Sequence, residues 1–480
     1  MSTDLALVTG ASGFIGGHLV PALLDRGWRV RVLARNPAKL HPDWRDRVDV
    51  VHGDATDNER LQAALDGVTC AYYLLHSMDD RGDFLRRDLE LARGFARAAE
   101  EAQVSRVVYL SGLHPTDRPL SDHMRSRAEV GKVFLDSGVP AAVLQAGIVL
   151  GPQSISFRML RHLTERLPVA VAPRWLDNRV QPIATADVIH YLVAAASLPD
   201  EVNRSIDLGM DEVLTYREMM KRYAQVTGLL PRRILVVPVL TPALASHWVG
   251  LVTPVAACIA KPLVGSIIHD AVKNDEDADE LLGAPPGGPT GFDDAIRIAA
   301  EGVDPKRWGR TAAAVGAGVA AAAVVGSWAT EPDGRWYRTL RKPALQPPAA
   351  VFPLAWTTLY GAIWASSTAT IRELAEAGDA RASRAFARAL RINLALNAGW
   401  SAVFFRFHRL RAATIVAGAL AASSADIARR AAPTGRGKVI ALGAYAGWCT
   451  FATVLSGRLA RLNPRPTRPR PSDSRSRGSR

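Results

Sequence analysis

The stretch from Val8 to Gly17, Val-Thr-Gly-Ala-Ser-Gly-Phe-Ile-Gly-Gly, decides how the first part of this chain folds. An apolar run, Leu5 to Val8, precedes the glycines and reads as a strand, and His18 to Arg26 reads as a helix. A Gly-x-x-Gly-x-x-Gly turn between a strand and a helix lets the backbone pass close to a pyrophosphate and points the first helical N–H groups at it. Glycines also mark ordinary tight turns, so the surrounding sequence must decide. The residues predicted to hold a dinucleotide are Gly10, Ser12, Gly13, Phe14, Ile15 and Gly16.

Short β-rich runs alternate with amphipathic helical segments from Leu5 to about Leu198. One of these segments, Leu85–Ala102, has apolar or small residues at a period of 3.6, which is typical of a helix that covers one side of a sheet. Strands that alternate with helices form βαβ units and a parallel sheet. The sequence therefore predicts an α/β, Rossmann-type domain over residues 1–200, followed by a small C-terminal lobe over residues 201–308. The predicted strands are Leu5–Thr9, Arg29–Ala34, Val48–His52, Cys70–Leu75, Arg106–Ser111 and Ala142–Gly147.

Residues after the second, third and fourth strands indicate which dinucleotide binds. Arg35 stands where NAD-specific sites usually place an acidic residue, and an arginine there suits a 2′-phosphate, so NADP(H) is preferred over NAD(H). Arg35 as a solvated surface charge is the alternative. Asp54 is a candidate acceptor for the adenine amino group, although it is equally placed to cap the next helix. Leu75 and His76 end the fourth strand at the carboxyl edge, where ligands of open α/β sheets lie.

Composition narrows the classes of partner. The 480-residue chain carries a formal net charge of +13, but its arginines are scattered and no basic, aromatic-interleaved groove indicates nucleic acid. Arginines beside apolar segments favour a membrane surface with anionic lipids. Cys70, Cys258 and Cys449 have neither disulfide nor zinc spacing, so no metal site is expected. The N-terminus lacks the pattern of a signal peptide, so we expect the first domain to stay where the chain is made.

The composition changes sharply after Arg310. Three apolar runs have the length of a membrane span, namely Thr311–Trp328, Pro347–Ile371 and Val439–Gly457. Two further candidates, Ile392–Phe405 and Ala412–Ala425, are bounded by arginines and are short for a span unless those side chains reach the interface.

Two other segments have less regular patterns. Thr241–Ile268 is strongly apolar but interrupted by prolines, which favours buried helices over a segment that dips into the membrane. The tail, residues 464–480, is rich in Pro, Arg and Ser and is predicted to be disordered.

Five motifs of the first domain resemble one enzyme superfamily. They are Thr9–Gly16, Tyr73–Met78, Tyr109–Leu113, Ser121–Glu129 and Ala146–Gly151. Together they resemble the atypical, NmrA-like branch of the extended short-chain dehydrogenase/reductases over about residues 4–300. The resemblance implies a Rossmann domain with a small substrate lobe, and a catalytic Ser with a Tyr-x-x-x-Lys pair. Ser111 matches the serine, but His123 and Arg127 fill the Tyr and Lys positions.

That departure bears on the chemistry. The lysine of the pair lowers the pKa of the tyrosine, so that a phenol moves a proton near neutral pH while hydride moves to or from nicotinamide. Arg127 retains the ability to hydrogen-bond the nicotinamide ribose, and an unperturbed histidine titrates in a useful range. Ser111, His123 and Arg127 are therefore the candidate catalytic residues, and His123 as a surface or structural histidine is the alternative.

The C-terminal third shows a second resemblance. It is carried by Trp336-Tyr337, Leu340, Lys342-Pro343, Pro347-Pro348, Phe352-Pro353, Trp356-Thr357, Leu359-Tyr360, Leu394, Leu396-Asn397, Trp400, Phe404-Phe405, Tyr445, Trp448, Phe451-Ala452 and Asn463. These residues resemble the TspO/MBR family, the tryptophan-rich sensory proteins, over about residues 310–463. The resemblance implies an all-α bundle of five transmembrane helices over residues 309–463, commonly dimeric, that binds porphyrins, other tetrapyrroles or sterol-like ligands.

Four residues of this region are candidate ligand contacts. A flat apolar ligand suits stacking on Trp356, Trp400 and Trp448, with Asn397 as a polar contact. The alternative is that these aromatic residues only pack the bundle or sit in interfacial belts. The sequence departs from the family pattern at Leu345, Ala350 and Ala444, which weakens the inference of porphyrin photochemistry and cholesterol binding.

Two functions fit this organisation. The first is an NADP(H)-dependent oxidoreductase, tethered to the inner membrane with its nucleotide domain in the cytoplasm, that acts on an apolar substrate or tetrapyrrole received near the bilayer. The second is a non-enzymatic sensor, or a regulator linked to transport, that uses NADP(H) and porphyrin-type ligands as signals. Arginines on both sides of the bundle leave the orientation open, and the cytosolic supply of NADP(H) favours a cytoplasmic nucleotide domain.

Overall fold

The computed structural model describes residues 4–75, 84–115, 120–237, 253 and 263–464. The chain divides into two compact units between Pro305 and Lys306. The first contains the sheet and the lobe, and the second is all-helical.

A parallel sheet of seven strands forms the centre of the first unit. Its strands lie in the order β7-β6-β5-β4-β1-β2-β3, so the chain reverses direction across the sheet between β1 and β4. The six predicted strands are confirmed, and the seventh lies beyond the residues in which strands were predicted. The strands are β1 (Leu5–Thr9), β2 (Arg29–Ala34), β3 (Asp49–His52), β4 (Cys70–Tyr73), β5 (Arg106–Gly112), β6 (Ala141–Ala146) and β7 (Arg204–Leu208).

Helices cover both faces of this sheet because alternate strand residues point to opposite sides. Ala6 and Val8 of β1 pack on one side, and Leu5 and Leu7 pack on the other. The first side is covered by α1 (Phe14–Asp25) and α6 (Thr185–Ala195). The second is covered by α2 (Asn58–Leu65), α3 (Phe84–Glu101) and α4 (Asp122–Leu135). A single-turn helix, Pro42–Arg45, follows β2.

The lobe has its own core and draws on residues from both sides of position 200. Its helices are α5 (Ile155–Arg166), α7 (Tyr216–Val226) and α9 (Phe292–Ala299). The short helix α8 (Ala278–Leu282) packs instead on the core of the sheet. Three two-stranded pairs accompany the lobe helices: Val149–Leu150 with Ile183–Ala184, Val169–Pro173 with Arg233–Val237, and Arg179–Val180 with Leu214–Thr215. Helix α5 packs in the lobe core and β7 returns to the main sheet, so the chain passes between the sheet and the lobe more than once.

The second unit contains the five predicted helices among its described residues. They are α10 (Arg307–Ala329), α11 (Val351–Glu376), α12 (Ala380–Ser401), α13 (Leu410–Arg430) and α14 (Arg436–Leu462). A short helix, Arg335–Thr339, lies between α10 and α11, and a π-helical segment, Ala402–Arg406, extends α12.

Length and hydropathy select three of the described helices as membrane-crossing, and they differ in part from the three predicted runs. They are Arg307–Ala329, Leu410–Thr434 and Arg436–Leu462. The interpretation of Pro347–Ile371 as a span readable from hydropathy alone is corrected, because α11 contains Ser366, Ser367, Thr368 and Thr370, all of which are buried. Conversely, the helix that contains Ala412–Ala425 is long and apolar enough to cross a membrane.

Candidate functional site

The glycine turn is as close-packed as the sequence predicts. Gly10 has φ of +71°, and a Cβ at this position would lie 2.8 Å from the carbonyl oxygen of Leu74. A Cβ at Gly16 would lie 2.5 Å from the carbonyl oxygen of Gly10. The Gly13 N–H donates to the Gly10 carbonyl at 2.9 Å, which closes the turn. Side chains at Gly10 or Gly16 would therefore push the turn apart.

The start of α1 fits a pyrophosphate. Gly13 is the N-cap residue, and no side chain caps the first turn of the helix. Ser12 and Gly13 are exposed, and Phe14 and Ile15 are partly buried beneath them. Backbone N–H groups at a helix N-terminus carry positive partial charge and bind phosphate oxygens. The turn thus has the donors and the open backbone that a dinucleotide needs.

Thr9 joins β1 to β4 at the same edge of the sheet. Its hydroxyl donates to the Tyr72 carbonyl at 2.9 Å and accepts from the Leu74 N–H at 3.2 Å. This places Leu74 and Leu75 at the carboxyl edge beside the turn, where Leu75 is partly buried. His76, the other candidate there, lies outside the described residues.

Arg35 and Asp54 lie together at the ends of β2 and β3. The Arg35 Nε is 3.7 Å from the Asp54 Oδ2, and the arginine side chain is 82% exposed. Asp54 Oδ1 accepts from the N–H and the hydroxyl of Thr56 at 3.0 Å each. Asp57, not Asp54, caps α2, so the capping alternative for Asp54 is wrong. The Arg35 guanidinium retains most of its surface for an anion.

His123 and Arg127 form one column along α4 because they are four residues apart, and Gly131 continues this column. A Cβ at Gly131 would lie 3.1 Å from Val143 and 3.8 Å from the Tyr109 ring, so this face of α4 lies on β5 and β6. Four helix residues and two strand residues each advance about 6 Å along their axes. Arg127 is therefore level with Ser111, and His123 lies a turn further, beyond the carboxyl end of β5.

Two polar groups in this column are buried without hydrogen-bond partners among the described residues, the Ser111 hydroxyl and the Arg127 Nε. Buried polar groups without partners are rare and often belong to binding or catalytic sites. Burial, reinforced by the charge of Arg127, lowers the pKa of His123 to about 4. Burial raises the pKa of Tyr109, and the charge of Arg127 opposes that change. Near neutral pH the column thus contains a neutral imidazole beside a guanidinium charge.

A buried hydrogen bond between α4 and α3 holds α4 in place. The Ser126 hydroxyl donates to Asp88 Oδ2 on α3 at 3.0 Å, and both side chains are buried. Ser126 precedes Arg127, so this contact fixes the rotation of α4 at the position of the candidate site. The sequence analysis missed this pair because Asp88 is one of several acidic residues on a helix whose polar face is otherwise solvated.

The interior of the bundle contains a chain of hydrogen bonds across four helices. The Tyr360 hydroxyl donates to Asn397 Oδ1 at 2.8 Å, and Asn397 Nδ2 donates to the Tyr445 hydroxyl at 3.2 Å. The Tyr445 hydroxyl donates to Asn393 Oδ1 at 3.0 Å, and Asn393 Nδ2 donates to the Ser424 hydroxyl at 3.0 Å. Asn397, the predicted polar ligand contact, therefore uses both ends of its amide to join helices.

The three candidate tryptophans lie in different surroundings. Trp356 packs near this network, with its ring centroid 5.3 Å from that of Tyr360. Trp400 stacks on Phe404 at 5.4 Å, and its buried Nε1 has no hydrogen-bond partner among the described residues. Trp448 contacts Phe352 and Phe451 and lines an apolar groove of about 430 Å³ between α11 and α14. The four candidates do not share one enclosed pocket in the described structure.

Comparison with known proteins agrees with this division of the chain. A family model described as NAD(P)H-binding matches residues 10–146, and the TspO/MBR family model matches residues 314–462. The ceramide reductase of Caulobacter vibrioides is 32% identical over 248 residues, which are 49% of this chain and 75% of that protein. The chain belongs to the short-chain dehydrogenase/reductase-like proteins, fused to a TspO/MBR domain.

The fusion protein has other relatives in its first unit. The 3β-hydroxysteroid dehydrogenase/Δ5→4-isomerase of Mycobacterium tuberculosis is 35% identical over 125 residues, 23% of this chain, and the match spans only 33% of that protein. A nucleoside-diphosphate-sugar epimerase from Staphylococcus aureus has a TM-score of 0.50 at 14% identity, covering 62% of this chain and all of the epimerase, which shows the fold alone.

The fusion protein is thus a multi-pass membrane protein with an NAD(P)H-binding, reductase-like domain. Among the described residues, no group of three or more His, Cys, Asp or Glu side chains is arranged to hold a metal ion. The described cysteines, Cys70 and Cys449, are buried and free.

Proposed function

We propose that the fusion protein is an NADP(H)-dependent oxidoreductase that interconverts a carbonyl and a hydroxyl group on an apolar, lipid-like compound. The observation that carries the proposal is the column on α4, which sets the charge of Arg127 level with the buried Ser111 hydroxyl and a neutral His123 one turn further out. The likeness to a ceramide reductase supports a lipid substrate. The lobe also exposes Val169, Val171 and Leu235 on one small sheet, a surface that suits an apolar compound.

The cofactor is NADP(H) in this proposal. The glycine turn holds the pyrophosphate, and Arg35 pairs with the 2′-phosphate in place of part of its contact with Asp54. Asp54 and Leu75 line the adenine and nicotinamide ends of the groove. Bound NADPH supplies the hydride.

The residues of the column act on the substrate oxygen. Neutral His123 donates a ring N–H to the carbonyl oxygen, which polarises the carbon for reduction. Arg127 stabilises the negative charge that develops on that oxygen. The Ser111 hydroxyl passes a proton to that oxygen as it takes one from water, which completes the alcohol and leaves a hydroxide ion in the solvent. In the oxidative direction the same groups return the proton to water.

The bundle is proposed to bind a small apolar ligand or a tetrapyrrole at the aromatic cluster around Trp400, which includes Tyr337, Phe404 and Phe405. Two buried polar atoms of this cluster lack partners among the described residues, the Trp400 Nε1 donor and the Gln346 Oε1 acceptor. A flat ligand with one acceptor and one donor would satisfy both while stacking on the rings. A homodimer formed through the bundle would cover the outer groove lined by Trp448, and the oligomeric state of the purified protein tests this. The inner membrane, with the nucleotide domain in the cytoplasm, is the proposed location because NADP(H) is found there.

Turnover by the purified full-length protein tests the function. In detergent or nanodiscs it should oxidise NADPH when supplied with long-chain ketones, including ceramide-type lipids and oxidised sterols. The second candidate, a redox sensor, is favoured by the His123 and Arg127 replacements of the Tyr-x-x-x-Lys pair. Tight NADPH binding without turnover across the whole panel, with and without porphyrin, would support the sensor and overturn the enzyme.

A further inference from the structure

Four arginines form an exposed row on the first half of α12. They are Arg381, Arg384, Arg388 and Arg391. Steps of three, four and three residues place them within an arc of about 80° and over about 15 Å of helix length. We call this set the arginine row.

The acidic side chains at this end of the bundle are engaged elsewhere. No ion pair joins the arginine row to a described carboxylate. The neighbouring contacts are Glu373 with Lys438 at 2.9 Å, Glu376 with Arg372 at 3.1 Å, Asp426 with Arg429 and Arg430 at 2.6 Å each, and Asp379 with the Ala382 N–H at 2.8 Å. The row therefore carries four positive charges without internal compensation.

Contacts with α10 set the depth of the row in the membrane. A Cβ at Gly318 would lie 3.3 Å from Leu394, and one at Gly326 would lie 3.6 Å from Ser401. The two helices therefore run side by side in the same direction. Arg388 precedes Leu394 by six residues, as Ala312 precedes Gly318, so Arg388 and Ala312 lie at the same level.

That level is a membrane boundary. The apolar part of α10 begins just after Arg310. The Trp364 Nε1 donates to the Ala312 carbonyl at 2.9 Å, and the Trp364 side chain is exposed. An exposed tryptophan at the start of an apolar helix is typical of the interface between hydrocarbon and headgroups.

The row then crosses the headgroup layer. The headgroup region of one leaflet is about 5–8 Å thick, and Arg381 lies about 10 Å outside Arg388 along the helix. Arg391 lies one turn inside the boundary, but side chains on a helix lean towards its N-terminus. The N-terminus of α12 is at the outer end of the row, so the Arg391 side chain extends back to the headgroups.

The opposite end of α12 is arranged differently. Arg406 pairs with Glu331 at 2.8 Å and lies over the Trp328 ring at 4.8 Å. Its charge is neutralised within the protein, whereas the charges of the arginine row are not. Two further exposed arginines at that end, Arg409 and Arg411, do not extend into a row of four on one helix face. The row of four therefore distinguishes the end where α12 begins.

We propose that the arginine row is a binding surface for anionic phospholipids, whose phosphates pair with the guanidinium groups. Arginine matches phosphate by two parallel N–H bonds, and the row offers such pairs at successive depths. Lipids gathered there also relieve the mismatch of α12, whose apolar stretch from Ile392 to Phe405 is short for the hydrocarbon core.

Spin-labelled lipids test the proposal in liposomes containing the full-length protein. We expect several-fold stronger association of labelled phosphatidylglycerol than of labelled phosphatidylcholine at low salt. Arg384→Gln/Arg388→Gln should bring that ratio close to one, while Arg384→Lys/Arg388→Lys should keep part of it because the charge remains. The matched control, Arg409→Gln/Arg411→Gln, removes two exposed arginines at the other end and should leave the ratio unchanged.

Three results would overturn the proposal. They are an equal association of both lipids with the unmodified protein, an equal loss in the test and control variants, and displacement of phosphatidylglycerol by millimolar inorganic phosphate. The last would indicate a site for free phosphate. Circular dichroism of each variant shows whether the bundle remains folded, and the lysine variant preserves the test if the glutamine variant does not fold.

Discussion

Arg127 lies one helical turn after His123 on the same face of α4, and its charge reinforces the effect of burial, so that the pKa of His123 falls to about 4. In the proposed mechanism this relationship takes the place of the Tyr-x-x-x-Lys pair of the superfamily. A lysine lowers the pKa of a neighbouring tyrosine and prepares it to release a proton, whereas an arginine keeps a neighbouring histidine neutral. His123 is thereby suited to donating a hydrogen bond, and the guanidinium to stabilising an oxyanion.

The first prediction separates these roles. His123→Phe removes the donor and should lower kcat by about 100-fold, in line with the loss of one oxyanion donor. His123→Gln keeps an N–H donor and should retain more activity. Steady-state kinetics measure both, with NADPH affinity as the control. Equal losses in the two variants would contradict a hydrogen-bonding role.

The pH dependence of catalysis follows from the same pKa. His123 stays neutral above about pH 4, so its titration should leave no inflection in kcat between pH 8 and pH 5. A pH profile of kcat in the stable range measures this. A loss of activity with an apparent pKa near 6.5 that disappears in His123→Gln would mean that His123 titrates as a free imidazole.

The depressed pKa of His123 should make the folded protein less stable as the pH falls, whereas a salt-bridged histidine would make it more stable. The pKa of His123 falls from 6.5 in the unfolded chain to about 4 in the folded protein. The unfolded state therefore binds more protons between these pH values. The stability that neutral His123 contributes to the folded state is lost as the pH falls from about 6.5 to 4. As the pH falls over this range, the unfolding temperature should drop less steeply for His123→Gln than for the unmodified protein. Parallel curves for both proteins would contradict the assignment.

The proposed preference for NADP(H) rests on Arg35. Arg35→Ala should weaken NADPH binding by about 10- to 100-fold, the value of a charge-assisted hydrogen bond, and leave NADH binding nearly unchanged. Arg29→Ala is a matched control, because Arg29, at the start of β2, is likewise exposed and paired with an aspartate, Asp49, at 3.6 Å. Fluorescence titration gives both affinities. An equal loss for the two cofactors would place Arg35 outside the 2′-phosphate site.

Substitutions in the glycine turn test whether the two units bind their ligands independently. Gly13→Asp puts a carboxylate on the phosphate site and should abolish nucleotide binding without changing ligand binding by the bundle. Gly17→Ala is the control, since its Cβ would lie 3.9 Å from the nearest atom, the Ala11 carbonyl oxygen. Titration with NADPH and with a porphyrin measures both sites. Loss of porphyrin binding with an unchanged circular dichroism spectrum would indicate coupling between the units.

The sequence predicted most of the fold because its signals are local. The Gly10–Gly16 turn, the buried strands and the apolar helices are each visible in a short window. Strand β7 was missed because Arg204–Leu208 contains a charged residue, Asp207. Asp207 is buried because it accepts hydrogen bonds from Asn274, which lies 67 positions further along the chain. Ser111, His123 and Arg127 were located by family resemblance, but the low pKa of His123 depends on how α4 packs.

The side-chain partners in the bundle could not be predicted from the sequence either. Asn397 was interpreted as a ligand contact, whereas Tyr360 and Tyr445 occupy its amide. Those contacts depend on the rotation of three helices about their axes, which a hydropathy pattern does not specify.

The most direct test of the central claim is the transfer of hydrogen from cofactor to substrate. The full-length protein is incubated with a long-chain ketone and with NADPH that carries deuterium at the hydride-donating position, and the product is analysed by mass spectrometry. We predict an alcohol that contains one deuterium, formed far more slowly by His123→Phe. Tight binding of the labelled NADPH with no deuterated product from any ketone of the panel would contradict the claim.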